Sequence, residues 1–328
     1  MDVSGDRLDH AQTLPGVLQH APLFDVALDP ADHVVEHVRA VAPIVLLLAG
    51  ASFSHIGGAA GQTNTSGPPS DPWPGKKKLL AIGDVHTGYQ HDSVSHALST
   101  IERLGRETGG YITFIRTDSQ LITKDPIAGT GEYGPGKRRV NGKNLNFFDA
   151  IFFMGTGEGD LTAKQKADLL SFVHDDGKGF VGAHTGDDAY FTWPAFGEMM
   201  GGYFDGHPWG VFNAPVIVED PNFPGMQGLP HEFTIRDEIY QHKDFSRANV
   251  HVLARLDASK LDMTKPGIHR TDRDFPVAWA KMYGKGRVYY CTFGHTDESW
   301  DDPRVQKLYL GAIRWALGIT KYDIDKSK

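Results

Sequence analysis

From residue 76 onward, short apolar runs ended by glycine or polar loops alternate with segments of helical period. That alternation predicts an α/β chain. Residues 76–83 (KKKLLAIG) read as a first strand, and Val94, Ala97, Leu98, Ile101 and Leu104 recur at helical spacing behind it. A second strand is predicted over 111–116. A third, over 150–155, is apolar throughout and therefore expected to be buried on both faces. Thr162 and Gln165 have the spacing of a capping box; Leu169, Leu170 and Val173 give that helix its inner side, and Gly177 suits its stop. A fourth strand follows over 179–182. This order implies a parallel sheet with right-handed crossovers, whose ligands bind at the carboxyl ends of the strands. Asp84, His91, residues 155–158 and His184 fall there.

Farther along, strands are expected over 214–218, 233–240 and 250–256. A hairpin is expected of 276–282 with 287–293 around Tyr283-Gly284-Lys285-Gly286. A last helix spans 303–317, with Pro303 in a permitted first-turn position and Asp301 and Asp302 as its caps. Residues 123–146 are long and polar, the pattern either of a functional flap or of a disordered loop.

Before the domain the pattern changes character. Residues 1–37 show no period and are left unassigned. Arg39, the apolar run 40–49 and the small residues 57–60 are the parts of a secretory signal, so 38–61 is expected to be a signal peptide. Its position inside the chain implies a start at Val34, Val35 or Val38, and a secreted or periplasmic product; a cytoplasmic chain with a buried N-terminal helix is the alternative. The run is too short to leave an integral membrane anchor after cleavage. Residues 62–75 form a Ser/Pro/Gly/Thr linker, and the folded domain is expected over 76–320.

With 328 residues the chain can build one large domain or two small ones. Its net charge of -8, without a basic stripe, excludes a nucleic-acid surface. The single cysteine, Cys291, excludes an intramolecular disulfide and sits in an apolar run as a core residue.

The chemistry concentrates in residues 179–209, GFVGAHTGDDAYFTWPAFGEMMGGYFDGHPW. Gly182-x-His184-x-Gly186 has the form of a nucleophile elbow, in which glycines permit a tight turn and the middle side chain is thrown out at the sheet edge. Histidine at that position favours acid–base or metal chemistry over acyl transfer. The candidate catalytic residues are His184, His295, Asp188 and Glu298. The candidate binding residues are Asp84, His91, Asp92, Trp193, Tyr203, His207, Trp209 and Trp300. Aromatic rings beside carboxylates and histidines suit a small-molecule carbohydrate. The same histidines and acids could hold a divalent metal such as zinc, although no H-E-x-x-H spacing is present. Cofactor and oligomeric state stay open, a homo-oligomer included.

Several motifs together resemble the trehalose-utilisation (ThuA-like) family. They are His91-Asp92-Ser93, Gly182-Ala183-His184, Trp193-Pro194, the run 201–209, Asp237-Glu238-Ile239-Tyr240, Pro276-Val277-Ala278-Trp279, the run 284–288 and the run 294–304 (GHTDESWDDPR). The resemblance covers about 77–319. It implies a flavodoxin-like, class I glutamine-amidotransferase-like parallel sheet with helices on both faces and an added antiparallel hairpin. Amidotransferases of that fold carry cysteine on the elbow and His-x-Glu later; here His184 and His295-x-Asp297 stand in those places. Glutaminase chemistry through a thioester is thereby excluded. The family's link to disaccharide use implies a sugar or keto-sugar ligand, handled by an isomerase, lyase or hydrolase, or bound without turnover.

Overall fold

β1 (Lys77–Ile82) opens the main sheet of the computed structural model, which describes residues 71–130, 138–141 and 143–324. In chain order there follow α1 (Ser93–Thr108), β2 (Tyr111–Arg116), β3 (Ile127–Thr130), β4 (Arg138–Asn141), β5 (Ala150–Phe153), α2 (Ala163–His174) and β6 (Gly179–Ala183). Then come α3 (Pro194–Met200), β7 (Tyr203–Phe204), β8 (Val211–Val218), β9 (Glu232–Glu238), β10 (His242–Lys243) and β11 (His251–Leu256). The chain ends with β12 (Pro276–Tyr283), β13 (Gly286–Cys291), α4 (Asp297–Asp301) and α5 (Pro303–Ala316). The expected signal segment 38–61, the unassigned 1–37 and most of the linker lie outside the described residues. Among those described, no helix is long and apolar enough to cross a membrane.

Nine strands form one sheet in the order β2-β1-β5-β6-β13-β12-β11-β8-β9. The first five are parallel, and helices cover both faces, the flavodoxin-like arrangement. Successive residues of β1 feed opposite cores. Leu79 and Ala81 pack with α1 and α5, whereas Leu80 and Ile82 pack with α2 and α3. Burial on both faces is why these strands read as unbroken apolar runs.

The antiparallel part is larger than one added hairpin. β13 is itself a parallel member, with Cys291 opposite Ala183 of β6, and from it β12, β11, β8 and β9 extend the sheet antiparallel. The polar stretch 123–146 is tied down at its ends and partly paired. Thr123 Oγ1 and the Lys124 N–H bond to Asp168, and β3 pairs with β4. The capping box is present: Thr162 accepts from the Gln165 N–H and Gln165 reaches back to the Thr162 N–H. α2 stops at Asp175, and Gly177 takes a φ of +71° just beyond it.

Candidate functional site

β6 ends at Ala183, and His184 follows in the left-handed region at φ +43°. For a residue with a Cβ this conformation costs about 1–3 kcal/mol and must be held by its surroundings. Three bonds hold it. The His184 Nδ1–H donates to the carbonyl of Thr292 at 2.7 Å, the Tyr240 hydroxyl lies 2.8 Å from Nε2, and the Tyr290 hydroxyl donates to the His184 carbonyl at 2.7 Å. A carbonyl can only accept, so Nδ1 carries the proton and Nε2 turns its lone pair toward the cleft. His184 is fully buried.

Three other segments meet it. His91 comes from the loop between β1 and α1, with its ring 4.9 Å from those of both His184 and His295. His295 follows β13, and its Nδ1 lies 3.2 Å from His184 Nε2 and 3.1 Å from Glu238 Oε2. Glu238, at the end of β9, also reaches His207 Nδ1 at 3.3 Å through its other oxygen. Tyr89 is largely exposed; its ring packs edge-on to His91 and parallel to His295.

Asp237 fixes the loop that carries His295. Its buried carboxylate accepts from the Gly294 N–H (2.8 Å), the His295 N–H (3.1 Å) and the Ser299 hydroxyl (2.6 Å). Beneath the elbow, buried Asp187 contacts His242 Nδ1 at 2.7 Å and the Tyr290 hydroxyl at 2.8 Å.

Burial, assisted by the His295 charge, drives the His91 imidazole down to about 4. Burial likewise holds His184 well below the ordinary histidine range. At His295 burial acts downward too, but the hydrogen bond and charge of Glu238 outweigh it and raise the imidazole. Asp188 is pushed up to about 7, first by burial and then by the charges of Asp187 and Glu238.

The residues expected from the sequence therefore divide. His91, His184, His207 and His295 come together, joined through Glu238, and Asp188 lies within their electrostatic reach. Asp84 is engaged at a different group, bonded to His86 (2.8 Å) and Ser119 (2.5 Å) and close to Asp160. Asp92 is exposed at the start of α1, and Glu298 is exposed in the first turn of α4. Trp193, Tyr203 and Trp300 are core residues whose polar tips are satisfied locally or whose faces are covered. Trp193 packs on Tyr190 and Phe196, the Tyr203 hydroxyl bonds to the Trp193 carbonyl, and the Trp300 N–H bonds to the Gly294 carbonyl. Trp209 donates to the Asp262 carbonyl and packs on Phe212 and Phe275. Sequence reasoning missed Glu238 and Tyr240 as site residues. Both lie in Asp237-Glu238-Ile239-Tyr240, a stretch that carried the family resemblance without marking either residue for the site.

No curated protein matches the chain. Among solved structures it is similar to a ThuA-like protein of Bacteroides uniformis, at 22% identity and a TM-score of 0.55 over 76% of this chain and 95% of that one. It is also similar to a ThuA-like protein of Parabacteroides merdae, at 17% identity and a TM-score of 0.53 over 76% and 92%. The model of one family, ThuA, described as trehalose utilisation, matches residues 82–316, and the chain belongs to that family.

Proposed function

We propose that this protein transforms a sugar or keto-sugar derivative by histidine and carboxylate acid–base chemistry at the cleft around His184, without glutaminase activity. The observation that carries the reading is the convergence of His91, His184, His295 and Glu238 from four separate segments onto one sheet edge. The family's role in trehalose utilisation supports the substrate class. Asp188 is the group suited to proton transfer: a carboxyl near 7 is half ionised at neutral pH and can both take and return a proton. In this reading its carboxylate removes a proton from the carbon beside a carbonyl. The C–H electron pair moves toward the carbonyl oxygen, which faces the imidazole cluster. A thioester route has no sulfur to use, since Cys291 is buried within β13 and the elbow carries His184. Tyr89, exposed beside two of the imidazoles, offers a face for the apolar side of a sugar ring.

Proton NMR in D2O with the oxidised keto derivative of trehalose tests this, with trehalose itself, which has no carbonyl, as the control that should not exchange. Deuterium should enter beside the carbonyl, or a new product should appear, and Asp188→Asn should abolish both while the protein stays folded. Shifted resonances with neither exchange nor product would leave a carbohydrate-binding protein and overturn the catalytic reading. Export, suggested by the Arg39–Ala60 pattern, belongs to the same proposal; native protein with an N-terminus near residue 62 would support it.

A further inference from the structure

The geometry points to a divalent metal site, of the zinc class, formed by His91, His184, His295 and Glu238. One ligand atom from each residue lies within 4.8 Å of all the others. Three of the separations are tighter: 3.2 Å between His184 Nε2 and His295 Nδ1, 3.1 Å between His295 Nδ1 and Glu238 Oε2, and 3.9 Å between His184 Nε2 and Glu238 Oε2. Bonds of about 2.0–2.1 Å in a tetrahedron place ligand atoms about 3.3 Å apart, so small rotations of these side chains suffice.

Two observations independent of spacing favour a cation. The first is His91, whose Nδ1 is buried and finds no hydrogen-bond partner in the protein. A polar nitrogen buried in this way asks for a ligand. The second is the orientation of His184. Its Nδ1–H is committed to the Thr292 carbonyl, the outer partner that fixes a metal-binding imidazole with its other nitrogen forward. Nε2 and Glu238 Oε2 are then acceptors 3.9 Å apart, with the Tyr240 hydroxyl and His295 Nδ1 as the donors near them, while Glu238 Oε1 faces His207 Nδ1. Competition for those few protons is relieved by a positive ion. Nitrogen and oxygen ligands in this ratio suit zinc and its neighbours better than calcium or magnesium. Asp188 and His207 are outside the four, His207 being half exposed beside Glu238 Oε1. A bound ion would polarise a sugar carbonyl or hydroxyl, so this goes beyond the acid–base reading but does not depend on it.

The test is calorimetric titration of Zn2+ into the chelator-stripped full chain, with Co2+ absorption as a second readout of four-coordinate geometry. One equivalent should bind. His295→Ala and Glu238→Gln, the latter isosteric and folded by circular dichroism, should each weaken binding by about 100-fold or more, beyond the 10–100-fold typical of an outer partner. His231→Ala, an exposed histidine elsewhere, should bind as the parent does. Absence of stoichiometric zinc binding, or equal binding by parent, His295→Ala and Glu238→Gln, would overturn the site. Sugar exchange in D2O by stripped protein that binds no zinc would sink the metal and leave the acid–base reading standing. Zinc binding with no reaction of any sugar would do the reverse.

Discussion

Replacing Asp237 by alanine tests how His295 is held. The carboxylate gathers two main-chain N–H groups and one hydroxyl from the segment 294–299, and all of them are buried or nearly so. A stranded buried donor costs about 1–3 kcal/mol, and water entering the vacated space recovers part, so three donors suggest roughly 3–6 kcal/mol. Against this stands the burial of the carboxylate itself, which pushes Asp237 up to about 6 from an ordinary 3.8 despite those hydrogen bonds. A carboxyl with a raised folded pKa binds more protons when folded than when unfolded. Its contribution is therefore complete below the unfolded value and is lost as pH rises through the folded one. The full loss amounts to about 3 kcal/mol, of which about 2 falls between pH 4.5 and 8. Asp237→Ala lacks this titration. Its deficit against the parent should accordingly be larger at pH 4.5 than at pH 8 by about 2 kcal/mol. Urea unfolding of both proteins at the two pH values measures it, and zinc titration of the same samples reports whether His295 is still in place. A deficit that is the same at both pH values, or an Asp237→Ala protein as stable as the parent at pH 4.5, would refute the reasoning.

Other substitutions read different parts of the molecule. Asp187→Ala leaves His242 and Tyr290 without their buried partner and should cost about 3–5 kcal/mol in urea unfolding, with Asp187→Asn milder. The rate of sugar exchange should rise with pH through about 7 as Asp188 ionises, and Asp188→Asn should remove that limb from the pH–rate profile. Thr162→Ala breaks the capping box of α2, outside the histidine cluster; it should lower stability by about 1 kcal/mol with exchange unaffected.

The parts of this fold that the sequence discloses are those in which burial leaves a pattern. β1, β5 and β6 are covered on both faces, so each reads as an apolar run of strand length. The long helices declare themselves through spacing, and α2 through its cap. The antiparallel wing is less legible. β8, β9 and β11 can be recognised as strands, but nothing local says that β11 joins β12 and β8, because pairing between distant segments is decided by tertiary packing. The short helices α3 and α4 escape for a related reason: seven and five residues are too few to display a period.

The site divides along a different line. His184 stands out because the flanking glycines advertise a sharp turn, and His295 because Gly294 precedes it at the end of a strand. Glu238 does not, since an acid after Asp237 at the end of a strand has the look of a solvent face, and only the approach of His295 and His207 gives it a task. The aromatic residues make the point sharply. Tyr203 and Tyr240 are both buried, and both lie in stretches that suggested the family. The Tyr203 hydroxyl is satisfied by the Trp193 carbonyl ten residues before it, which makes it a fastening for α3. The Tyr240 hydroxyl finds His184 Nε2 from 56 residues away, which places it at the cleft. Residue type and spacing announce that a polar tip exists. Whether that tip is satisfied by a neighbour in the chain or aimed at a shared centre depends on contacts between distant segments, and that distinction separates a core tyrosine from a functional one.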